Sequence, residues 1–148
     1  MTGRMTATSE PFSATYEDGC RFFLPVKPTP ASRPRFSKRG HTYYGKRYKA
    51  WIKEAETEVA EWPSEYFTGP VSVWLVNYIV RPKTTKRSYP TGDVDNYAKA
   101  QLDVLTRASH VWHDDDQVVS LTVTKEFVDC QEDEGTMVYI YPVIGMEE

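Results

Sequence analysis

The sequence predicts one domain of the α/β class, α+β in type, in which a mixed β-sheet carries two main helices packed on it. Three observations lead there. The run "VSVWLVNYIV", Val71–Val80, is β-branched and aromatic, and is apolar on both alternating faces except at Ser72 and Asn77, which is the pattern of a central strand. Two stretches, 46–62 and 96–107, repeat apolar residues at spacings of three and four. Shorter runs of strand composition flank them, so the order is strand, hairpin, helix, strand, loop, helix, strand, strand. Helices against one face of a mixed sheet bury both helical stripes with least exposed apolar surface.

Residues 1–19 begin as a polar stretch and are expected to form a flexible arm, with 20–148 as the single domain. "CRFFLPV" at 20–26 reads as the first strand and "KPTP" as the turn that ends it. Residues 35–37 and 42–44 face each other across Lys38, Arg39, Gly40 and His41, a short and very basic hairpin. In the helix at 46–62, Tyr48, Trp51 or Ile52, Ala55 and Val59 or Trp62 form the apolar stripe, and Pro63 stops it. Its first turns are basic and its later turns acidic, against the helix dipole; either a ligand outside the helix or unselected surface charge accounts for that.

Residues 81–92 hold two prolines and four basic residues without hydrophobic period, so they form a loop of the kind that binds ligands or stays disordered. In the second helix Ala98, Leu102, Leu105 and Ala108 make the expected apolar face. "QVVSLTVTKEF" follows as a strand with Val119, Leu121 and Val123 on one face and Ser120, Thr122 and Thr124 on the other. Acidic "DCQEDEG" turns into a last strand at 136–143.

The chain of 148 residues carries a net charge of −3, which by itself disfavours a polyanionic ligand, but its charges are segregated. Nine Lys or Arg and no acid fall within 27–53, and four more within 81–87, so these segments hold 13 of the 18 basic residues. Local potential, not net charge, decides whether a phosphate can approach. No apolar run reaches the roughly 20 residues of a membrane span and no signal-peptide segment opens the chain, so a cytoplasmic protein with no membrane partner is expected. Cys20 and Cys130 make neither a metal pair nor a disulfide framework.

The chemistry concentrates in "DVDNYAKAQLDVLTRASHVWHDDDQ". Asp93 and Asp95 are two residues apart; on extended backbone their carboxylates point the same way and can share a cation. Asp95 or Asn96 can cap the helix, which explains one aspartate but not the pair. Lys99, one turn on, either reaches back to the acidic mouth or pairs with Asp103. Asp114, Asp115 and Asp116 precede the next strand, and an antiparallel return is expected to bring them beside Asp93 and Asp95. Converging carboxylates repel one another, and a divalent cation removes that conflict. All-oxygen ligands favour magnesium, manganese or calcium. An EF-hand is excluded, because Ala98 stands where its glycine is needed and no glutamate follows at the twelfth position. A zinc site on His110, His113 and Asp114 lacks thiolates and is the weaker alternative, and Trp112 reads as an anchor of this turn in the core.

Arg33, Arg35, Lys38, Arg39, Lys46, Arg47 and Lys49 can hold several backbone phosphates, with Phe36, Tyr43, Tyr44 and Tyr48 interleaved for packing or for stacking on exposed bases. Acidic ion ligands together with phosphate-binding cations give a metal-dependent nuclease. Neither a nucleophilic triad nor a phosphate-binding P-loop is present.

The stretch "GDVDNYAKAQLDVLTRASHVWHDDDQV" resembles the signature of the RusA family of Holliday junction resolvases: two aspartates and an asparagine, a lysine on the next helix, a tryptophan, an aspartate pair and a glutamine. "PTPASRPRFSKRGHTYY" is similar to the opening of many phage members, so a phage or prophage origin is implied. The resemblance runs from about Arg21 to Val143. It implies a homodimeric endonuclease that nicks four-way DNA junctions symmetrically with Mg2+, or Mn2+ in its place. Asp93, Asp95 and Asp115 match the essential metal-site aspartates, Asp114 their acidic neighbour and Lys99 the essential lysine. Lys83, Lys86 and Arg87, in the loop after Val80, then face DNA with the hairpin. Asp116 departs from the pattern by turning the aspartate pair into a run of three, and the register rests on Gln117. A nuclease selective for forks or other branched DNA is the nearest competing function, and a non-catalytic DNA-binding protein with a structural ion the more distant one.

Overall fold

The computed structural model describes residues 19–62 and 66–145, with the side chain of Arg35 outside that description. The expected arm, save Gly19, and the helix stop at Pro63 lie outside the described residues. Strand β1 is Cys20–Leu24, the hairpin strands β2 and β3 are Arg35–Phe36 and Thr42–Tyr43, and helix α1 is Lys46–Val59. Then come β4 (Val71–Val80), α2 (Val94–Ala108), β5 (Val118–Val128) and β6 (Gly135–Pro142). The four long strands form one sheet in the order β1-β6-β4-β5, and β2-β3 stands apart as its own ribbon. Only β4 and β5 run parallel, which makes the sheet mixed, as expected.

Strand β4 is internal, and its period-2 alternation separates two faces. Val71, Val73 and Leu75 join Val138 and Ile140 of β6 in the main core. Against that face pack Tyr48, Trp51, Ala55 and Val59 of α1 and Ala98, Ala100, Val104 and Leu105 of α2. The opposite face carries Trp74 stacked on Tyr139, with ring centroids 4.9 Å apart.

Three expectations need correction. Helix α1 ends at Val59 and the chain tightens into a turn, which swings Trp62 onto Phe22 of β1 at 4.4 Å. The buried stripe of α2 is rotated from the one expected: Gln101 and Val104 are buried, whereas Leu102 is only partly covered. Gln101, 1% exposed, is kept there by a polar network rather than by apolarity. Its Nε2 donates to Asn77 Oδ1 at 2.6 Å and to Thr136 Oγ1 at 3.2 Å, so one amide bolts α2 to two strands. In β5, a register shift opposite Val71 and Ser72 makes Val119 the extra residue of a bulge. Val119 and Leu121 stand 48% and 42% exposed, while Ser120 and Thr122 are half-buried. At this end of an edge strand the helices do not cover the apolar positions.

Candidate functional site

The β4–α2–β5 unit decides where the acidic residues go. Two parallel neighbours need a crossover that returns the chain to the starting end of the sheet, so α2 runs back along them. Its first residue therefore lies at the end where β4 stops, and its last near the end where β5 begins. At about 1.5 Å per residue, the 15 residues of α2 cover roughly 22 Å.

At the first end, Gly92 adopts φ +94°, and a Cβ there would meet the Tyr97 hydroxyl at 2.8 Å. Glycine thus lets Tyr97 donate to Thr91 O at 2.8 Å, and Lys125 Nζ from β5 donates to Gly92 O. Asp93 occupies the N-cap position. Its backbone carbonyl accepts from Asn96 and Tyr97 and its carboxylate makes no cap hydrogen bond, so the N-cap falls on Asp93 and not on Asp95 or Asn96, the two residues weighed for it. Asp95 sits in the first turn, where the helix dipole favours it. Both are exposed. The helix begins at Val94, so the extended geometry expected for the pair does not continue past Asp93.

At the other end, Trp112 is buried as expected, with Nε1 donating to Thr106 Oγ1 at 2.9 Å and its backbone bridged to Phe67. Gln117 holds the acidic turn. Its Oε1 accepts from the N–H groups of His113 (2.8 Å) and Asp114 (3.1 Å), and its Nε2 donates to the carbonyls of Phe67 (2.8 Å) and Gly69 (2.9 Å). Asp115 opens a short 3₁₀ turn here. Burial pushes its carboxyl above the ordinary carboxylate range, helped by a hydrogen bond with Asp114 and by the charges of Asp114, Asp103 and Asp116.

Asp93 and Asp95 are absent from that neighbourhood. Asp95 precedes Asp103 by two helical turns, about 12 Å along the axis, whereas oxygens sharing a magnesium-sized ion lie about 2.1 Å from it. The convergence expected from an antiparallel return is not found within one chain, because a crossover helix holds its two ends apart. Among the described residues no group of three or more His, Cys, Asp or Glu side chains is arranged to hold a metal ion, His110 and His113 included. Lys99 takes the plainer of its two options and pairs with Asp103 at 3.6 Å. That exposed pair contributes about 0.3–0.5 kcal/mol.

The basic residues lie against this helix. Ala31 N–H donates to Asn96 O at 2.9 Å, which pins the start of the basic segment to the first turn of α2. Farther along, Tyr48, Trp51, Ala55 and Val59 of α1 share the core with α2, and Arg107 Nε donates to Glu56 Oε2. The basic segment is thus tied to α2 near Asp95, and α1, which continues it, is tied to α2 again at Arg107. Arg33, Lys38, Arg39, Lys46, Arg47 and Lys49 are exposed along it. The loop at 81–92 is not loose: Arg81 Nη1 donates to Arg87 O and Arg87 Nε to Tyr89 O, each at 3.1 Å. The Tyr89 ring lies between Arg87 (4.7 Å) and Lys125 (5.6 Å), while Lys83, Lys86 and Arg87 remain exposed beside the Asp93 end.

The model of the family Endodeoxyribonuclease RusA matches residues 25–140. The chain belongs to the RusA family. The match contains every acidic and basic residue singled out above, from Arg33 to Lys125, and with it the whole β4–α2–β5 unit. RusA membership makes the protein a nuclease, with DNA as its substrate. No curated protein matches the chain. No helix among the described residues is long and apolar enough to cross a membrane. Relative to the sequence reading, the RusA scaffold adds two positioning groups. Gln117 had served only to mark the register, and two of its four hydrogen bonds depend on Phe67 and Gly69, some 50 residues earlier in the chain. Lys125 lay in a strand where its alternation gave no hint of a partner at Gly92.

Proposed function

We propose that this RusA protein is a metal-dependent endodeoxyribonuclease that resolves four-way DNA junctions by symmetric paired nicks, as a homodimer using Mg2+, with Mn2+ able to substitute. The observation that carries this reading is the basic segment fastened by Ala31 to the acidic start of α2 and continued by α1, which packs along the same helix, so that phosphates held by the segment pass close to carboxylates. The first turn of α1 adds uncapped N–H groups behind Lys46, Arg47 and Lys49, a favourable setting for a phosphate. Lys99, held only by an exposed pair, is available to a phosphate oxygen at small cost.

The acids enter this reading as two halves, Asp93 with Asp95 and Asp115 with Asp114. Because α2 keeps them apart, the ion site closes only when a second copy brings its Asp115 end to the Asp93 end of the first. The exposed Val119 and Leu121, beside Asp114–Asp116 on an edge strand, suit such a contact between copies. The bound ion supplies activation of water and neutralisation of charge at phosphorus. Two-fold pairing gives two centres, matching the approximate two-fold symmetry of a four-way junction.

The test is Mg2+-dependent cleavage of an immobile four-way junction, with a fork and a linear duplex beside it. Asp95→Asn is expected to bind the junction with affinity close to that of the wild type and to lose cutting by at least about a hundred-fold. Undiminished cutting removes Asp95 from the site, and a preference for forks replaces the junction with another branched substrate. Mixing Asp95→Asn chains with Asp115→Asn chains decides the shared site. A mixed dimer retains one centre with both acids intact and nicks one strand only, whereas self-contained centres leave every mixture inert.

A further inference from the structure

Phe36 is the most exposed large apolar side chain among the described residues, at 74%, and it makes no aromatic contact there. It projects from the β2-β3 ribbon. The register pairs Phe36 with Thr42 and Arg35 with Tyr43, so Phe36 and the half-exposed Tyr43 leave opposite faces of the ribbon. The ribbon is stiff at its tip. Ser37 N–H donates to His41 O at 2.7 Å, and Ser37 Oγ accepts from the N–H groups of Arg39 (3.3 Å) and His41 (3.1 Å). Gly40 closes the turn at φ +83°. The ribbon is also rooted, since Tyr44 meets Tyr48 edge-on at 5.1 Å and Tyr48 stacks toward Trp51 at 6.3 Å, both of the latter buried. Tyr48, one of four aromatics weighed for base stacking, therefore belongs to the core, and Tyr44 to its margin.

A phenyl ring held in water by a stiff, rooted support contributes nothing to folding, and Arg33, Lys38 and Arg39 around it have no apolar partner to offer. Those cations favour a polyanion that also has flat apolar surface to bury. Nucleic acid with an unstacked base meets both needs, because every base has a face on which a ring can stack. Continuous duplex hides those faces, whereas the point where four arms meet exposes them. Tyr89 is exposed too, but Arg87 and Lys125 already flank its ring.

Resting on the junction reading above, we propose that Phe36 is a wedge that enters the branch point and stacks on a base opened there, so that the ribbon recognises the branch and not only its phosphates. The experiment uses the full chain in EDTA, which stops cutting, and an immobile four-way junction carrying 2-aminopurine either at the branch point or well out along one arm. The wild type is expected to change the branch-point fluorescence and not the arm signal. Phe36→Ala is expected to abolish the change and to weaken junction binding on the order of ten-fold, with little effect on linear duplex. Phe36→Trp, which keeps a stacking ring, is expected to restore both. A full fluorescence change from Phe36→Ala overturns the wedge, and so does a shift of that variant from dimer to monomer in sedimentation, which would make Phe36 a contact between copies. Cleavage in Mg2+, measured separately, distinguishes the two ideas. A wild type that cuts while Phe36→Ala still opens the branch loses only the wedge, and one that opens the branch through Phe36 without cutting loses only the junction nuclease.

Discussion

Asp115 and Gln117 act on the Asp114–Asp116 turn in opposite directions. The folded chain partly buries Asp115 and sets three other aspartates around it, so its carboxyl binds a proton more tightly there than in the unfolded chain. Linkage fixes the sign. The folded state takes up protons first as pH falls, so stability drops as pH rises through the folded-state titration, and the penalty is fully present at neutral pH. Below the ordinary carboxylate range both states are protonated and the difference vanishes. Asp115→Asn is accordingly expected to melt above the wild type at neutral pH in metal-free buffer and to show no advantage under acid conditions; equal melting curves across that range would contradict the crowding. Gln117 acts the other way. Gln117→Ala leaves two carbonyls and two N–H groups without their partner, at a cost of about 1–3 kcal/mol. Thermal denaturation should register that loss, and cutting should suffer more than junction binding.

Elements whose reasons are local were legible in the residues, and those set by partners were not. Val71–Val80 declares itself a central strand because both its faces are apolar, and α1 declares its buried stripe through Tyr48, Trp51, Ala55 and Val59. The stripe of α2 was misread at Leu102 because hydrophobicity cannot reveal that Gln101 finds Asn77 and Thr136 across the sheet. The acids at both ends of α2 were recognised by type and spacing, yet their separation follows from β4 and β5 being parallel, which no local pattern states. The basic ribbon was legible by composition, and its charges should behave as surface phosphate contacts. Lys38→Ala with Arg39→Ala is expected to weaken DNA binding on all substrates and to lower the slope of log affinity against log salt by about two. An unchanged slope would mean that the ribbon tip does not meet the backbone.

Across the whole molecule, the sheet is a backing plate with one face given to the helices, and the proposed nucleic-acid chemistry falls to the outside of α2. The basic strip is attached to that helix at Asn96, and the acidic ends are held by different means, Lys125 with Tyr97 at one and Gln117 with Trp112 at the other. The length of α2 then has a meaning beyond packing. In the proposed pair of copies, set antiparallel along this rod, the rod would become a gauge block: the axial gap between its two acid halves, about 12 Å from Asp95 to Asp103, would fix how far apart the two cutting points stand. Strand spacing at the crossing would be measured by a rigid helix, and a chain with one turn more or fewer in α2 would meet its two phosphates out of step.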